Sequence, residues 1–157
     1  HLIIPDNYDC NAGVFELRDS QNINFFNCIL YGCGAEGISA FGVTGINMQD
    51  SIIEKCNLRV MSFNRCENAT FKNCIFRECI YQDMFSFYLT KNLVLDNCEI
   101  RDNVSGEYHP FIRIDKGSID IKVINSKIIH NKAVKLYDND VIDFSGTIFE
   151  GNSFDIK

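Results

Sequence analysis

The sequence has no surplus of positive charge: 15 Lys and Arg stand against 21 Asp and Glu, a net charge of −6. Phosphate binding needs clustered cations, which argues against nucleic acid as a partner. Long apolar runs are missing too, since Asn, Gly and Ser interrupt every uncharged stretch well before the ~20 residues that a membrane span requires. No signal peptide is visible, but the chain opens at "HLIIPDNYDC" without an initiator Met, so that absence decides nothing about compartment. What is present is ordinary for a folded domain: 157 residues, 46% hydrophobic and 23% charged. That is enough for one buried core and too apolar for disorder.

Internal repetition organises the chain. The segments NINFFNCILYGC (22–33), GINMQDSIIEKC (45–56), NATFKNCIFREC (68–79), NLVLDNCEIRDN (92–103), DIKVINSKIIHN (120–131) and VIDFSGTIFEGN (141–152) align at offsets of 23, 23, 24, 28 and 21 residues. A period in this range marks a solenoid, whose units bury their apolar faces only against one another.

Down the alignment, Ile23, Ile46, Ala69, Leu93, Ile121 and Ile142 share one apolar column. Two positions on, Phe25, Met48, Phe71, Leu95, Val123 and Phe144 share another. That alternation is the inward face of a strand. After a bend at Asn27, Asp50, Asn73, Asn97 and Asn125, a second strand points Leu30, Ile53, Phe76, Ile100, Ile128 and Phe149 inward. A third carries the inward pairs Phe15/Leu17, Ile38/Ala40, Met61/Phe63, Phe85/Phe87, Ile112/Ile114 and Val134/Leu136. Three short strands per unit, each ending in a polar bend, predict an all-β fold. It is a right-handed parallel β-helix of about six coils of 21–28 residues, one domain over residues 1–157.

The 8 cysteines follow the same columns. Cys28, Cys74 and Cys98 align with Ser51, Ser126 and Thr147, which marks a small inward side chain. Cys33, Cys56 and Cys79 align with Asn103, Asn131 and Asn152, which marks a bend residue with a stackable polar tip. A ladder spreads such residues along an axis, whereas a metal site needs ligands that converge. Buried free thiols are therefore expected, with disulfides between rungs and metal ligation as the alternatives. Free thiols favour a reducing compartment without fixing it.

These columns resemble the PbH1-type, pectin-lyase-like right-handed β-helix repeat proteins. More narrowly, "SQNINFFNCILYGCGAEGI" and "CENATFKNCIF" resemble Cys- and Asn-rich bacterial members whose function is unknown. The resemblance covers nearly the whole chain and implies the fold and an extracellular or periplasmic location. Proteins of this kind range over lyases, hydrolases, epimerases, tailspikes and non-catalytic modules, so activity does not follow from it.

Enzymes that the chain resembles work on an outward face, where neighbouring coils converge. The outward positions of the first strand supply no carboxylate pair at the ~5–9 Å separation of glycoside hydrolysis. The NxD, DD, GHG and RxK motifs of polygalacturonase-type enzymes do not occur in order, and "RIDK" (113–116) is an imperfect echo. On the second strand, Glu54, Arg77 and Glu99 form a charged patch whose simpler reading is cross-strand pairing.

The third strand presents Phe41, Tyr88 and Tyr137 among polar and cationic residues, a pattern suited to stacking on sugar faces. The 28-residue coil carries extra residues in NVSGEYHPFI (103–112), and insertions in a solenoid project from one face. Tyr108 and His109, with Glu107 and beside Arg113 and Asp115, join Phe41, Tyr88 and Tyr137 as a candidate glycan face. Asp138, Asp140 and Asp143 in YDNDVID offer oxygens to calcium, although such clusters more often form turns. No catalytic residue and no other cofactor is assigned. The reading is a non-catalytic structural or carbohydrate-binding module that takes a polysaccharide; a polysaccharide lyase, hydrolase or epimerase is the alternative.

Neither end of the array carries an amphipathic capping helix, so a module of a longer protein, able to associate end to end through uncapped coils, is expected. Sedimentation of the purified chain tests this. Concentration-dependent oligomers are expected, and a monomer at every concentration would count against it.

Overall fold

The computed structural model describes residues 13–32, 35–139 and 141–154. Cys33 of the bend column and Asp140 of the candidate calcium cluster lie outside these residues. The first coil comprises β1 (Phe15–Arg18), β2 (Gln21–Phe26) and β3 (Ile29–Tyr31). The second comprises β4 (Glu36–Phe41), β5 (Thr44–Gln49) and β6 (Ile52–Glu54), and the third β7 (Arg59–Asn64), β8 (Glu67–Lys72) and β9 (Ile75–Arg77). In the fourth are β10 (Phe85–Tyr88), β11 (Lys91–Asp96) and β12 (Glu99–Arg101). The fifth holds β13 (Ile112–Ile114), β14 (Ile119–Ile124) and β15 (Lys127–Ile129), and the sixth β16 (Ile142–Asp143) and β17 (Ile148–Glu150).

Equivalent strands stack in parallel into three sheets: sheet A, β1-β4-β7-β10-β13; sheet B, β2-β5-β8-β11-β14-β16; and sheet C, β3-β6-β9-β12-β15-β17. The fold is thus an all-β solenoid of about six turns with three strands per coil. The expected columns are the observed registers. Ile23 faces Ile46, then Ala69, Leu93, Ile121 and Ile142 in sheet B. Leu30 faces Ile53, Phe76, Ile100, Ile128 and Phe149 in sheet C.

Sheet A departs from expectation in two places. In the sixth coil Ile112 bridges to Tyr137, so the expected inward pair Val134/Leu136 is half right: Leu136 is buried and Val134 is 57% exposed. The cause is local. Asp138 Oδ1 accepts the Ile114 amide (2.8 Å) where a strand carbonyl would otherwise stand. At the entry to the sheet, Gly37, Val60, Met84 and Phe111 form one more inward column, with Val60, Met84 and Phe111 fully buried. Val60 and Met61 amides share the Met84 carbonyl (2.9 and 3.3 Å), the signature of an extra residue in the ladder. A Cβ on Gly37 would lie 2.3 Å from the Ile53 side chain.

The bends follow one rule. A residue at positive φ turns the chain, and the next residue points inward. Asn27, Asp50, Asn73, Asn97, Asn125 and Gly146 do this between sheets B and C, at φ from 50 to 71°. Asn and Asp tolerate this region best after glycine, because short polar side chains bond locally. Lys55, Glu78, Asp102 and His130 turn the chain after sheet C, and Asp19, Arg65 and Leu89 after sheet A.

The inward residues that follow make three ladders. Cys28 N donates to Ser51 Oγ (3.0 Å), and Cys98 N to Ser126 Oγ (3.0 Å). Cys56 N reaches Cys79 Sγ (3.4 Å), Cys79 N reaches Asn103 Oδ1 (3.0 Å), and Asn103 N reaches Asn131 Oδ1 (3.0 Å). Cys66, Thr90 and Ser118 form a third column, with Thr90 N donating to Ser118 Oγ (3.0 Å). The six described cysteines are free thiols, and five of them are buried.

Between the sheets, Phe63, Phe71, Phe76, Phe85 and Phe111 pack ring to ring at 5.8–6.0 Å. Asn131 is the best-connected ladder residue. It receives the Asn103 amide and side chain while its own Nδ2 donates to the Ile100 carbonyl (2.9 Å). Asn131→Ala leaves buried groups without partners and should cost about 3 kcal/mol in urea unfolding. Asn97→Gly, on the exposed corner, keeps the positive φ and should cost under about 1 kcal/mol.

Candidate functional site

The long coil builds the most developed surface feature. After β12 the chain turns at Asp102 and inserts Asn103 into the interior ladder. Val104 then bridges Ile80 on one side and Lys132 on the other. From Gly106 to Pro110 the backbone leaves the stack, closing on itself through a His109 N to Gly106 O bond (3.0 Å). Gly106 is required there, because a Cβ would lie 2.2 Å from the Tyr81 carbonyl oxygen.

The result is an open hollow of about 660 Å³ with a floor of Ile80, Val104 and Ser105. Tyr81, from the preceding coil, and Glu107, Tyr108 and His109, from the loop, line it as well. Tyr81 is 68% exposed and Tyr108 86%. Tyr81 sits at φ 101°, a strained conformation for a bulky residue that the surrounding stack must impose. The Ser105 hydroxyl is buried and has no protein partner.

Behind the hollow lies a buried ion network centred on Asp83, 2% exposed. Asp83 Oδ1 is 3.1 Å from Arg113 Nε and 3.5 Å from His109 Nδ1. Arg59 Nη1 approaches Asp83 Oδ2 at 3.7 Å while Arg59 Nε lies 3.5 Å from Glu36 Oε1. Arg59 also donates to Gln82 Oε1. Arg113 Nη2 and His109 Nδ1 are 3.0 Å apart, so Nδ1 stands between the Arg113 guanidinium and the Asp83 carboxylate. Burial pushes the Glu36 carboxyl above the ordinary range, only partly opposed by the Arg59 charge.

Sequence reasoning reached His109 and Arg113 but not Tyr81, Asp83, Arg59 or Glu36. Glu36 and Arg59 are register partners, and Asp83 continues the same column one coil on. Their spacing of 23 and 24 residues matches the repeat, and opposite charges at that spacing were the available signal.

The other expected site residues do not converge on this hollow. Phe41, Asn64 and Tyr88 are register neighbours on sheet A, so the two rings lie about 10 Å apart along the stack. Arg65 covers the Phe41 ring at 5.8 Å. Asp115 organises a turn: its carboxylate accepts the amides of Leu89 (2.9 Å) and Gly117 (3.0 Å) and the Ser118 hydroxyl (2.6 Å). Against the upward push of partial burial, these bonds hold its carboxyl below the ordinary range. Tyr137 is half-buried and stacks on Phe144, 6.1 Å away, so it belongs to the end of the core and not to the aromatic stripe.

Of the candidate calcium ligands, Asp138 holds the Ile114 amide, and Asp143 accepts the Ser145 amide (2.9 Å) and hydroxyl. Among the described residues no three His, Cys, Asp or Glu side chains are grouped to hold a metal ion. The charged patch on sheet C resolves into pairs, Arg77 with Glu54 (2.5 Å) and Arg101 with Glu99 (2.6 Å).

Comparison with known proteins gives two likenesses. A family model described as "Right handed beta helix region" matches residues 12–156. Among solved structures, a plasmid-mediated fluoroquinolone resistance protein, QnrB1, aligns over 98% of this chain and 88% of its own at 13% identity and a TM-score of 0.24. No curated protein sequence matches the chain.

The raised Glu36 carboxyl gives a signed expectation. Its contribution to stability is fully present below the unfolded value of 4.5 and is lost as pH rises through the higher folded value. Glu36→Gln should therefore gain on the parent protein as pH climbs from 4.5 toward neutrality, read from urea midpoints. A constant difference across that window would contradict the assignment.

Proposed function

The chain belongs to the right-handed β-helix family, and from that premise we propose that it is a non-catalytic carbohydrate-binding module whose binding site is the hollow on the long coil. The observation that carries this reading is that two exposed tyrosines, Tyr81 and Tyr108, line one mostly apolar hollow. A pyranose presents an apolar C–H face to an aromatic ring and hydroxyls at its rim. Here the Glu107 carboxylate and the His109 imidazole line the same hollow and supply polar groups for such hydroxyls. Arg113 and Asp83 fix the His109 ring from behind, which limits the ordering cost of binding. Phe41 and Tyr88 on sheet A form a separate aromatic face with no enclosing wall.

The alternative reading, a polysaccharide lyase, hydrolase or epimerase, draws on that same oriented imidazole. An imidazole held at Nδ1 by its neighbours and lining a hollow is how a general acid or base is positioned. Turnover lost on His109→Ala would favour it.

The test is a thermal-shift screen of neutral and acidic oligosaccharides, with product analysis for new reducing ends and unsaturated sugars. A ligand that binds only the native state at 100 times its Kd adds about 2.7 kcal/mol. A shift without products is expected. Tyr108→Ala and Tyr81→Ala should each weaken binding about tenfold, the equivalent of ~1.4 kcal/mol, while Tyr88→Ala leaves it unchanged. Binding that follows Tyr88 and ignores Tyr108 would move the site to sheet A, and a panel without any shift would remove the carbohydrate reading.

A further inference from the structure

The corner between sheets B and C carries a second feature, remote in character from the tyrosine hollow. A polar groove of about 270 Å³ runs along it, with Asn73, Asn97 and Asn125 at the rim and Cys74 and Cys98 on its floor. Asn97 Nδ2 donates to Asn73 Oδ1 (2.8 Å) above the two thiols. Lys127 brings a cation to the same groove.

Cys74 and Cys98 occupy neighbouring coils in register, as Ile75 and Glu99 beside them show. Each thiol now donates to backbone carbonyls, Cys74 to Lys72 O (3.3 Å) and Met48 O (3.5 Å), Cys98 to Phe71 O (3.5 Å) and Asp96 O (3.5 Å). We propose that this dithiol, reached through the asparagine groove, is a two-coordinate site for a soft monovalent cation of the Cu(I) type.

The argument is one of spacing and charge. Strands in a sheet stand about 4.7–4.9 Å apart. Two metal–sulfur bonds of about 2.3 Å, the zinc–thiolate length, span about 4.6 Å, close to that rung spacing. A disulfide needs Cβ atoms only about 3.5–4.5 Å apart, closer than the ladder holds them. Thiolates also select Cu(I) over harder cations.

Binding replaces two S–H bonds with two S–metal bonds and releases two protons, and the resulting complex carries one negative charge. Lys127 at the rim offsets that charge. The Cys74 thiol and burial together push the Cys98 thiol far above its ordinary range. A coordinated metal displaces thiol protons outright. Cys56 and Cys79 stack in the same way at another bend, but neither lines the groove, which makes them the internal control.

The column itself provides safe substitutions, since Ser51 and Ser126 already occupy it with the same carbonyl bonds. Under anaerobic conditions, Cu(I) added as its acetonitrile complex should be withdrawn from bicinchoninate by one equivalent per chain. Two protons should be released per metal. Cys74→Ser and Cys98→Ser should each abolish that equivalent, while Cys56→Ser with Cys79→Ser should retain it. Failure of the parent chain to compete, retention of copper by the Cys74→Ser/Cys98→Ser chain, or equal loss in the control would overturn the proposal. So would recovery of the pair as a disulfide on mild oxidation with copper still bound.

Discussion

At the inner bends among the described residues a recurring buried amide finds its partner in the next coil and not in its own. The side chain of the equivalent residue one coil further on accepts it: Ser51 for Cys28, Asn103 for Cys79, Ser118 for Thr90. Buried backbone donors are almost always paired, and leaving one unpaired costs about as much as a lost hydrogen bond. Residue type at the inner bends is set by this need, for only a small side chain with an acceptor atom fits between the ends of two strands. Register is set by it as well. A one-residue slip would turn every inward column outward and would also misalign each acceptor with its amide.

The same constraint explains where the stack admits change. The long coil carries most of its extra residues just after Asn103, whose side chain has already completed its rung, and one more in the bend before Ser118, where the rung from Thr90 is kept. The excursion from Gly106 to Pro110 returns in time for Phe111 to enter the core. Asn103 and Phe111 thus bracket the loop with fully buried anchors, and the hollow between them inherits a rigid floor. Tyr81, forced to positive φ beneath that loop, is where the strain of accommodating it is expressed.

Much of this was legible from spacing. The columns Ile23 to Ile142 and Leu30 to Phe149 were readable because inward residues in a solenoid are equivalent by repeat, and equivalence is visible in an alignment of the chain with itself. Val134 was misplaced because the repeat gives position but not backbone direction; Asp138, by taking the Ile114 amide, ended the strand where the pattern continued. Val60, Met84 and Phe111 were missed because they belong to an extra inward position that breaks strict alternation. The hollow was half legible: an insertion at 103–112 marks a projecting wall, and Tyr108 and His109 followed from it. The second lining tyrosine, Tyr81, comes from the preceding coil, and no periodic signal distinguishes a bend tyrosine from any other.

The ladders also differ along the chain. The bend after sheet C runs Cys56, Cys79, Asn103, Asn131 and Asn152. A thiol is a weak donor and a weak acceptor, whereas a carboxamide offers two strong donors and a strong acceptor. The thiols fall in the second and third coils, and Asn103 follows in a fourth coil whose Phe85 and Phe87 are equally buried. The amides continue into a sixth coil that has strands only in sheets B and C. In those coils Asn103, Asn131 and Asn152 bond both to one another and to the carbonyls of the preceding coil. Such a connected polar network is favourable inside a protein only when every member is satisfied. From the fourth coil to the sixth the stack thus adds a hydrogen-bonded register to its apolar one, through asparagine where the earlier coils have cysteine.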